Sequence, residues 1–208
     1  MLKNFIRNAR KPVGVGGSII LWTMNWGHGY LVRWGFPYLN ISPSSHILDI
    51  GCGGGANIHR LLQRNVGGKV YGVDYSALCV QKSKQYNAKA IAENRCEIKE
   101  GSVSAIPYSD NMFDIATAIE TVYMWPDFKN DLKEVLRIIK SGGTFFICNE
   151  CVREDGEKSN YKVIEQILES KVYSPNEYKE FLTEAGFVNV QIILSKNKKR
   201  ICVIAQKQ

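Results

Sequence analysis

The chain has 208 residues, 45% of them hydrophobic and 23% charged, an ordinary balance for one soluble domain with a sizeable core. Its 27 Lys and Arg against 20 Asp and Glu give a net charge of +7, but the surplus is local, because residues 1–48 hold Lys3, Arg7, Arg10, Lys11 and Arg33 and no acid. The near-neutral remainder argues against a nucleic-acid-binding body, no apolar run is long enough to span a bilayer, and six dispersed cysteines make no disulfide framework, so a cytoplasmic setting is expected.

Residues 1–11 place Leu2, Phe5, Ile6 and Ala9 on one helical face and Lys3, Arg7 and Arg10 elsewhere, the pattern of a short basic amphipathic helix. The basic start followed by residues 13–26 imitates a signal peptide, but Gly14, Gly16, Gly17, Asn25 and His28 interrupt the apolar run and no small-residue cleavage site follows. Residues 18–39 carry three of the four tryptophans, which is too aromatic for a linker. They are expected to form helices over the segment that follows. A division into a helical cap at 1–44 and a main domain at 45–208 results.

From Ser45 the chain alternates strand and helix. Residues 47–50 read as the first strand, followed by Gly51, Gly53, Gly54 and Gly55 and a helical pattern with Ile58, Leu61 and Leu62 inward. Residues 69–74 form the second strand. Ser76 caps a helix predicted to run unbroken to about Glu93, with Ala77, Val80, Ala88 and Ile91 inward. Strands are predicted at 96–99 and 113–119. Asp127 caps a helix with Leu132, Val135, Leu136 and Ile139 inward, closed by Gly142-Gly143 and followed by a strand over 143–148. Residues 154–170 read as a further helix. Ser174-Pro175-Asn176-Glu177 is a capping box with proline at the first helical position, opening a helix that ends at Gly186. Strands over 187–194 and 200–205 flank a turn. The class is α/β, a doubly wound sheet with helices on both faces.

Strand, glycine turn, helix is the layout that places a nucleotide-like ligand at the carboxyl end of a parallel sheet. Gly51-x-Gly53-x-x-Ala56 fits a relaxed dinucleotide fingerprint, with Asp74 about where an acid holds ribose hydroxyls. Asp49 argues against a pyrophosphate, which a carboxylate beside the turn would repel, and favours a cation. Asp49, Asp74 and Glu120 end strands one, two and four at one crevice. Any one of them alone also fits a helix cap or a solvated turn; the three together do not.

Leu48-Asp49-Ile50-Gly51-Cys52-Gly53-Gly54-Gly55 resembles the first motif of class I S-adenosylmethionine-dependent methyltransferases, and Val70-Tyr71-Gly72-Val73-Asp74-Tyr75-Ser76 resembles their second. Residues 101–114 are similar to their adenine-contacting loop and fourth strand, and residues 134–143 to their entry into strand five. The likeness covers about 45–206 and is greatest to the quinone-biosynthesis type. It implies a seven-stranded sheet of order 3-2-1-4-5-7-6 with strand 7 antiparallel. It also implies S-adenosyl-L-methionine as cofactor, leaving as S-adenosyl-L-homocysteine. Gly51, Cys52, Gly53 and Gly55, with Asp49 before them, would then hold the methionine end. Asp74 would take the ribose hydroxyls and Tyr75 would pack on the adenine, with Ser102 and Val103 bordering it. The backbone near Glu120 would hold the ammonium. The family often has Asp where this chain has Ser102.

Methyl transfer from a sulfonium needs alignment and exclusion of water more than acid–base groups. A base is required only where the acceptor has a proton to lose. His28, flanked by glycines in the aromatic leader, is the catalytic candidate, against the competing reading that it only hydrogen-bonds within the cap. Tyr123 and Trp125 are expected to line an acceptor pocket. Cys148-x-x-Cys151 lacks further ligands nearby, so no metal is expected. The expected acceptor is a small apolar or aromatic molecule, with no nucleic acid, peripheral contact of the basic N-terminus with a membrane surface, and a monomer or homodimer. The alternatives are a non-catalytic, regulatory S-adenosylmethionine-binding protein and a nicotinamide oxidoreductase.

Overall fold

The computed structural model describes residues 12–27 and 29–208. The amphipathic start at 1–11 and His28 lie outside the described residues. Seven strands form one sheet: β1 (His46–Ile50), β2 (Lys69–Asp74), β3 (Cys96–Glu100), β4 (Phe113–Ile119), β5 (Ile139–Asn149), β6 (Phe187–Leu194) and β7 (Ile201–Lys207), in the order β3-β2-β1-β4-β5-β7-β6. Strands β1 to β5 pair in parallel, whereas β7 runs antiparallel to both β5 and β6. The order expected from the family resemblance is therefore the order observed.

β1, β2 and β4 are buried along almost their whole length, as strands covered on both faces must be. One core lies against α6 (Phe128–Ile138) and α8 (Pro175–Ala185) and contains Leu48, Ile50, Phe113, Leu132, Val135, Phe145 and Phe187. The other contains Ile47, Val70, Ile58, Leu61 and Phe146, from β1, β2, β5 and α3 (Ala56–Arg64), and it also takes in the leader. That leader forms α1 (Gly14–Gly27), α2 (Gly29–Gly35) and a 3-10 turn at Phe36–Tyr38. Leu31, Val32 and Phe36 belong to this second core, so α2 is bound to the sheet by burial of apolar surface. The chain just before α1 is tied to the next layer where Ser76 Oγ donates to Pro12 O at 3.1 Å.

The capping signals act as read. Ser76 Oγ accepts from Cys79 N at 3.4 Å, Asp127 Oδ1 from Asn130 N at 3.3 Å, and the Ser174–Glu177 box is reciprocal at 3.3 and 2.9 Å. Three expectations are corrected. The helix after Ser76 is divided into α4 (Ala77–Tyr86) and α5 (Ala88–Ala92) at Asn87. Its buried residues are Cys79, Val80, Ser83 and Asn87; Ala77 and Ala88 are exposed and Ile91 is half-buried. The cause is Asn87, whose Nδ2 donates to both Gly55 O and Ser83 O at 3.0 Å and so turns a polar stripe toward the glycine turn.

Gly142-Gly143 does not close α6. Ile139 is fully buried opposite Phe113 and already begins β5, and the glycines fall in an irregularity where pairing resumes at Ile115 and Thr144. Residues 154–170 form only α7 (Lys162–Leu168).

Candidate functional site

The carboxyl ends of β1, β2 and β4 open into one cleft. Its cavity volume is about 170 Å³, room for a ligand rather than for one or two waters, each of which needs ~10–15 Å³. The turn after β1 forms its floor. Gly51 N and Cys52 N both donate to Val73 O, at 2.8 and 3.1 Å, locking the turn to β2. Gly53 has φ +51°, and a side chain there would meet nothing within 4 Å, so this residue presents bare backbone to the cleft. Gly55, at φ +84°, is the opposite case: a Cβ would come within 2.5 Å of Ser83 Oγ and 2.6 Å of Asn87 Nδ2. It is spacing for α4 and not a wall of the cleft.

Asp74 ends β2 and lines the cleft, its Oδ2 accepting from Gly53 N and its Oδ1 from Ser76 N, both at 2.9 Å. Burial raises its pKa, and these two backbone bonds oppose the rise. One side chain thus fixes the glycine turn and the start of α4 together. Tyr75 is 42% exposed along the rim, and Ser102 and Val103 form the far wall, with Ser102 Oγ accepting from Ser104 N at 3.2 Å.

Glu120, at the end of β4, lines the cleft with its backbone at φ +60°, a conformation that non-glycine residues hold only under constraint. The constraint is visible. Glu120 N donates to Cys148 O and Asn149 Oδ1 at 3.0 and 3.1 Å, its Oε2 accepts from Tyr123 Oη at 2.9 Å, and its Oε1 accepts from Glu150 N. Burial pushes its pKa up to about 7.

Asp49 differs from its expected place. It is 1% exposed, lies beneath the turn and does not line the cleft. Thr117, its neighbour across the β1–β4 pairing, donates Oγ1 to Asp49 Oδ1 at 2.8 Å. Oδ2 finds no hydrogen-bond partner among the described residues. Burial pushes its pKa up to about 7, with the Thr117 bond opposing and Asp74 adding to the rise. A buried carboxyl group with one oxygen left without a partner is one whose charged form a nearby cation would favour.

Of the residues singled out for the cofactor, Gly51, Cys52, Gly53, Asp74, Tyr75, Ser102, Val103 and Glu120 come together around the cleft, while Asp49 and Gly55 stand behind it. Trp125 lines the cleft, and Tyr123 turns its hydroxyl to Glu120. Pro12, Leu21, Asn57, Arg60, Thr121, Met124 and Pro126 also line it without having been singled out. Thr121 to Pro126 were legible as the segment after a strand-ending acid. Asn57 and Arg60 were legible as a polar i, i+3 pair on the helix that the turn opens. The Cys148 side chain is buried and meets Cys202 across the β5–β7 pairing, Sγ to Sγ 3.3 Å, under Gly35 of α2. Among the described residues no three His, Cys, Asp or Glu side chains are placed to hold a metal ion.

Residues 41–200 match the family model described as "Methyltransferase domain". Sarcosine/dimethylglycine N-methyltransferase of Halorhodospira halochloris is 25% identical over 151 residues, covering 72% of this chain and 54% of that protein. Demethylmenaquinone methyltransferase of Bacillus mycoides (strain KBAB4) is 36% identical over 114 residues, 54% of this chain and 47% of that protein. The chain thus spans about half the length of these curated relatives. Geranyl diphosphate C-methyltransferase from Streptomyces coelicolor A3(2), solved in complex with S-adenosyl-L-homocysteine among other ligands, superposes with a TM-score of 0.75 at 16% identity. It covers 86% of this chain and 76% of that one, a likeness of fold.

Proposed function

The chain belongs to the methyltransferase-domain family, and we propose that it is an S-adenosylmethionine-dependent methyltransferase acting on a small apolar or aromatic molecule. The observation that carries the reading is the bare Gly53 backbone between Asp74 and Glu120, with the unsatisfied oxygen of Asp49 below it. These groups suit a ligand with a ribose and a positive amino-acid end. The cofactor supplies a methyl group activated on a sulfonium.

In this reading the turn at residues 51–53 holds the methionine end. Asp74 accepts from the ribose hydroxyls through lone pairs that its backbone bonds leave over. Tyr75 covers the adenine, and Ser102 and Val103 edge it. The backbone and carboxylate of Glu120, with Asp49 beneath, receive the ammonium. Both acids stand near a pKa of 7, so the ligand's positive charge would favour their ionised forms. Leu21, Met124 and Trp125 give the acceptor an apolar wall and keep water from the transfer line. The names of the relatives also point to small-molecule acceptors. His28 is the proposed base where the acceptor carries a proton to lose.

We further take residues 1–44 as the cap and residues 45–208 as the methyltransferase domain, in a monomer or homodimer. Among the described residues no helix is long and apolar enough to cross a membrane. A cytoplasmic setting, with the basic N-terminus touching a membrane surface, completes the proposal.

Calorimetry with S-adenosylmethionine, S-adenosylhomocysteine and NAD tests the cofactor. Binding of both sulfur ligands and not of NAD is expected; binding of neither sulfur ligand sinks the proposal. A methyl-transfer screen over phenols, quinols, amines and thiols then tests catalysis. His28→Ala is expected to lower turnover far more than cofactor affinity, and equal turnover removes His28 from the mechanism.

A further inference from the structure

Cys148, near the end of β5, and Cys202, in β7, face each other directly in the antiparallel register. Their sulfurs are in contact, Sγ to Sγ 3.3 Å, and both residues are buried, at 1% and 0% exposure. Cys148 O turns away from β7 and accepts from Glu120 N at 3.0 Å. Cys148 and Cys202 are therefore a non-hydrogen-bonded pair, the closer of the two antiparallel classes, with opposing Cα atoms about 4.5 Å apart. That spacing lies within the roughly 4.4–6.8 Å that a disulfide bridges. Other buried thiols are turned to different groups: Cys52 Sγ meets Ser83 Oγ at 3.8 Å, and Cys79 lies against Ser76 and Asp74.

A glycine covers the pair. A Cβ built on Gly35, the last residue of α2, would stand 2.6 Å from Cys148 Sγ and 3.0 Å from Cys202 Sγ. Only a residue without a side chain lets α2 lie on the two sulfurs. The bond to Cys202, together with burial, raises the Cys148 pKa, which keeps the thiol inert while α2 is seated. Apolar burial of Leu31, Val32 and Phe36 holds this part of the leader to the sheet. Displacement of α2 therefore uncovers both sulfurs at once.

We propose that Cys148 and Cys202 form a modification site, a dithiol that a small disulfide of the glutathione class converts to a cross-strand disulfide when α2 lifts. One protein thiol releases its proton and, as thiolate, attacks a sulfur of the oxidant, so that half of the oxidant leaves as a thiolate. The second protein thiol loses its proton and displaces the other half from the mixed disulfide. Two protein thiols thus give up two protons and two electrons, the Cys148–Cys202 bond forms, and the S–S bond of the oxidant becomes two thiols. The new bond joins residues 54 apart in sequence and staples β7, the last strand of the chain, to β5. It lies beside the cleft, because Cys148 O and Asn149 Oδ1 both hold Glu120 N. In a reducing compartment the pair rests as thiols and closes in response to oxidant. None of this depends on which ligand the cleft takes.

The test incubates wild type, Cys148→Ala, Cys202→Ala and Cys151→Ala with glutathione disulfide and, separately, with the smaller thiol oxidant diamide. Each sample is then denatured, alkylated and mapped by mass spectrometry without reduction. Wild type and Cys151→Ala are expected to yield a peptide pair cross-linked through Cys148 and Cys202, reversed by dithiothreitol, and a Tm raised by about 5–15 °C. Cys148→Ala and Cys202→Ala should show neither. Free thiols or separate glutathione adducts at Cys148 and Cys202, after both oxidants at a temperature just below the melting transition, overturn the site. A cross-link with no rise in Tm overturns the staple. Gly35→Ala, whose Cβ pushes α2 off the sulfurs, should form the bond at least about tenfold faster than wild type, and an unchanged rate overturns the cover by α2. Val32→Ala, which loosens α2 more mildly, carries that arm should Gly35→Ala fail to fold.

Discussion

The cleft has two walls built on different principles. The sheet wall, from the ends of β1, β2 and β4, is positioned by short bonds between backbone and carboxylate: Gly53 and Ser76 to Asp74, Glu150 to Glu120. The leader wall, lined by Pro12 and Leu21, is positioned mainly by apolar side chains, with Leu31, Val32 and Phe36 of the segment that follows in the second core. Hydrogen bonds fix direction to within tenths of an ångström, whereas apolar contact fixes only proximity. In the proposed function a common donor would sit on the first wall, and the identity of an acceptor could vary on the second.

The largest effect is expected from damage to the turn that stands behind the sheet wall. Gly55→Ala combines a left-handed φ with collisions against Ser83 and Asn87, and should destabilise the protein by about 3 kcal/mol or more in denaturant unfolding. A loss below ~1 kcal/mol would show that α4 moves freely over the turn. Asp74→Asn should weaken S-adenosylhomocysteine by roughly 30- to 100-fold in calorimetry, because a charge-assisted acceptor becomes a neutral one with a misplaced donor. Retained affinity would move the ribose contact elsewhere.

Asp49 sharpens the comparison through pH. Its folded pKa of about 7 lies above its ordinary value of 3.8, so its ionisation opposes folding above about pH 4, in full once pH exceeds about 7. Asp49→Asn should then stabilise the unliganded protein by on the order of 2 kcal/mol at pH 8 and not at pH 4. Binding of a cationic ligand has the opposite slope. Affinity for S-adenosylmethionine should fall as pH drops below 7, and the fall should be shallower in Asp49→Asn. A pH-independent wild type would exclude Asp49 and Glu120 from ligand electrostatics. The smallest effect on donor binding belongs to the leader: Leu21→Ala should change S-adenosylhomocysteine affinity by less than about threefold while altering acceptor KM. Equal loss of both would erase the distinction between the walls.

The same distinction governs what could be read from sequence. β2, β4 and β6 end where their apolar runs end, and the acids closing β2 and β4 do face the cleft, because a strand end is a local signal. Asp49 lies within β1, where pleating turns it toward Thr117 and sets it behind the cleft lining, a side-chain direction that the run of residues alone does not specify. Gly142-Gly143 misled because paired glycines fit a helix end and a strand irregularity equally, and burial of Ile139 decided for the strand.

The place of β7 bears on how such a chain can be synthesised. It follows every other strand in sequence yet lies between β5 and β6, paired to both. While residues 201–207 are still in the ribosome, β6 has no partner and β5 shows an open edge beside buried apolar side chains. The β1–β5 layer, with its parallel pairs complete, can form while translation continues. Closure of the sheet waits for a single late insertion, so nascent chains stalled before residue 201 should be the species that chaperones hold and that aggregate.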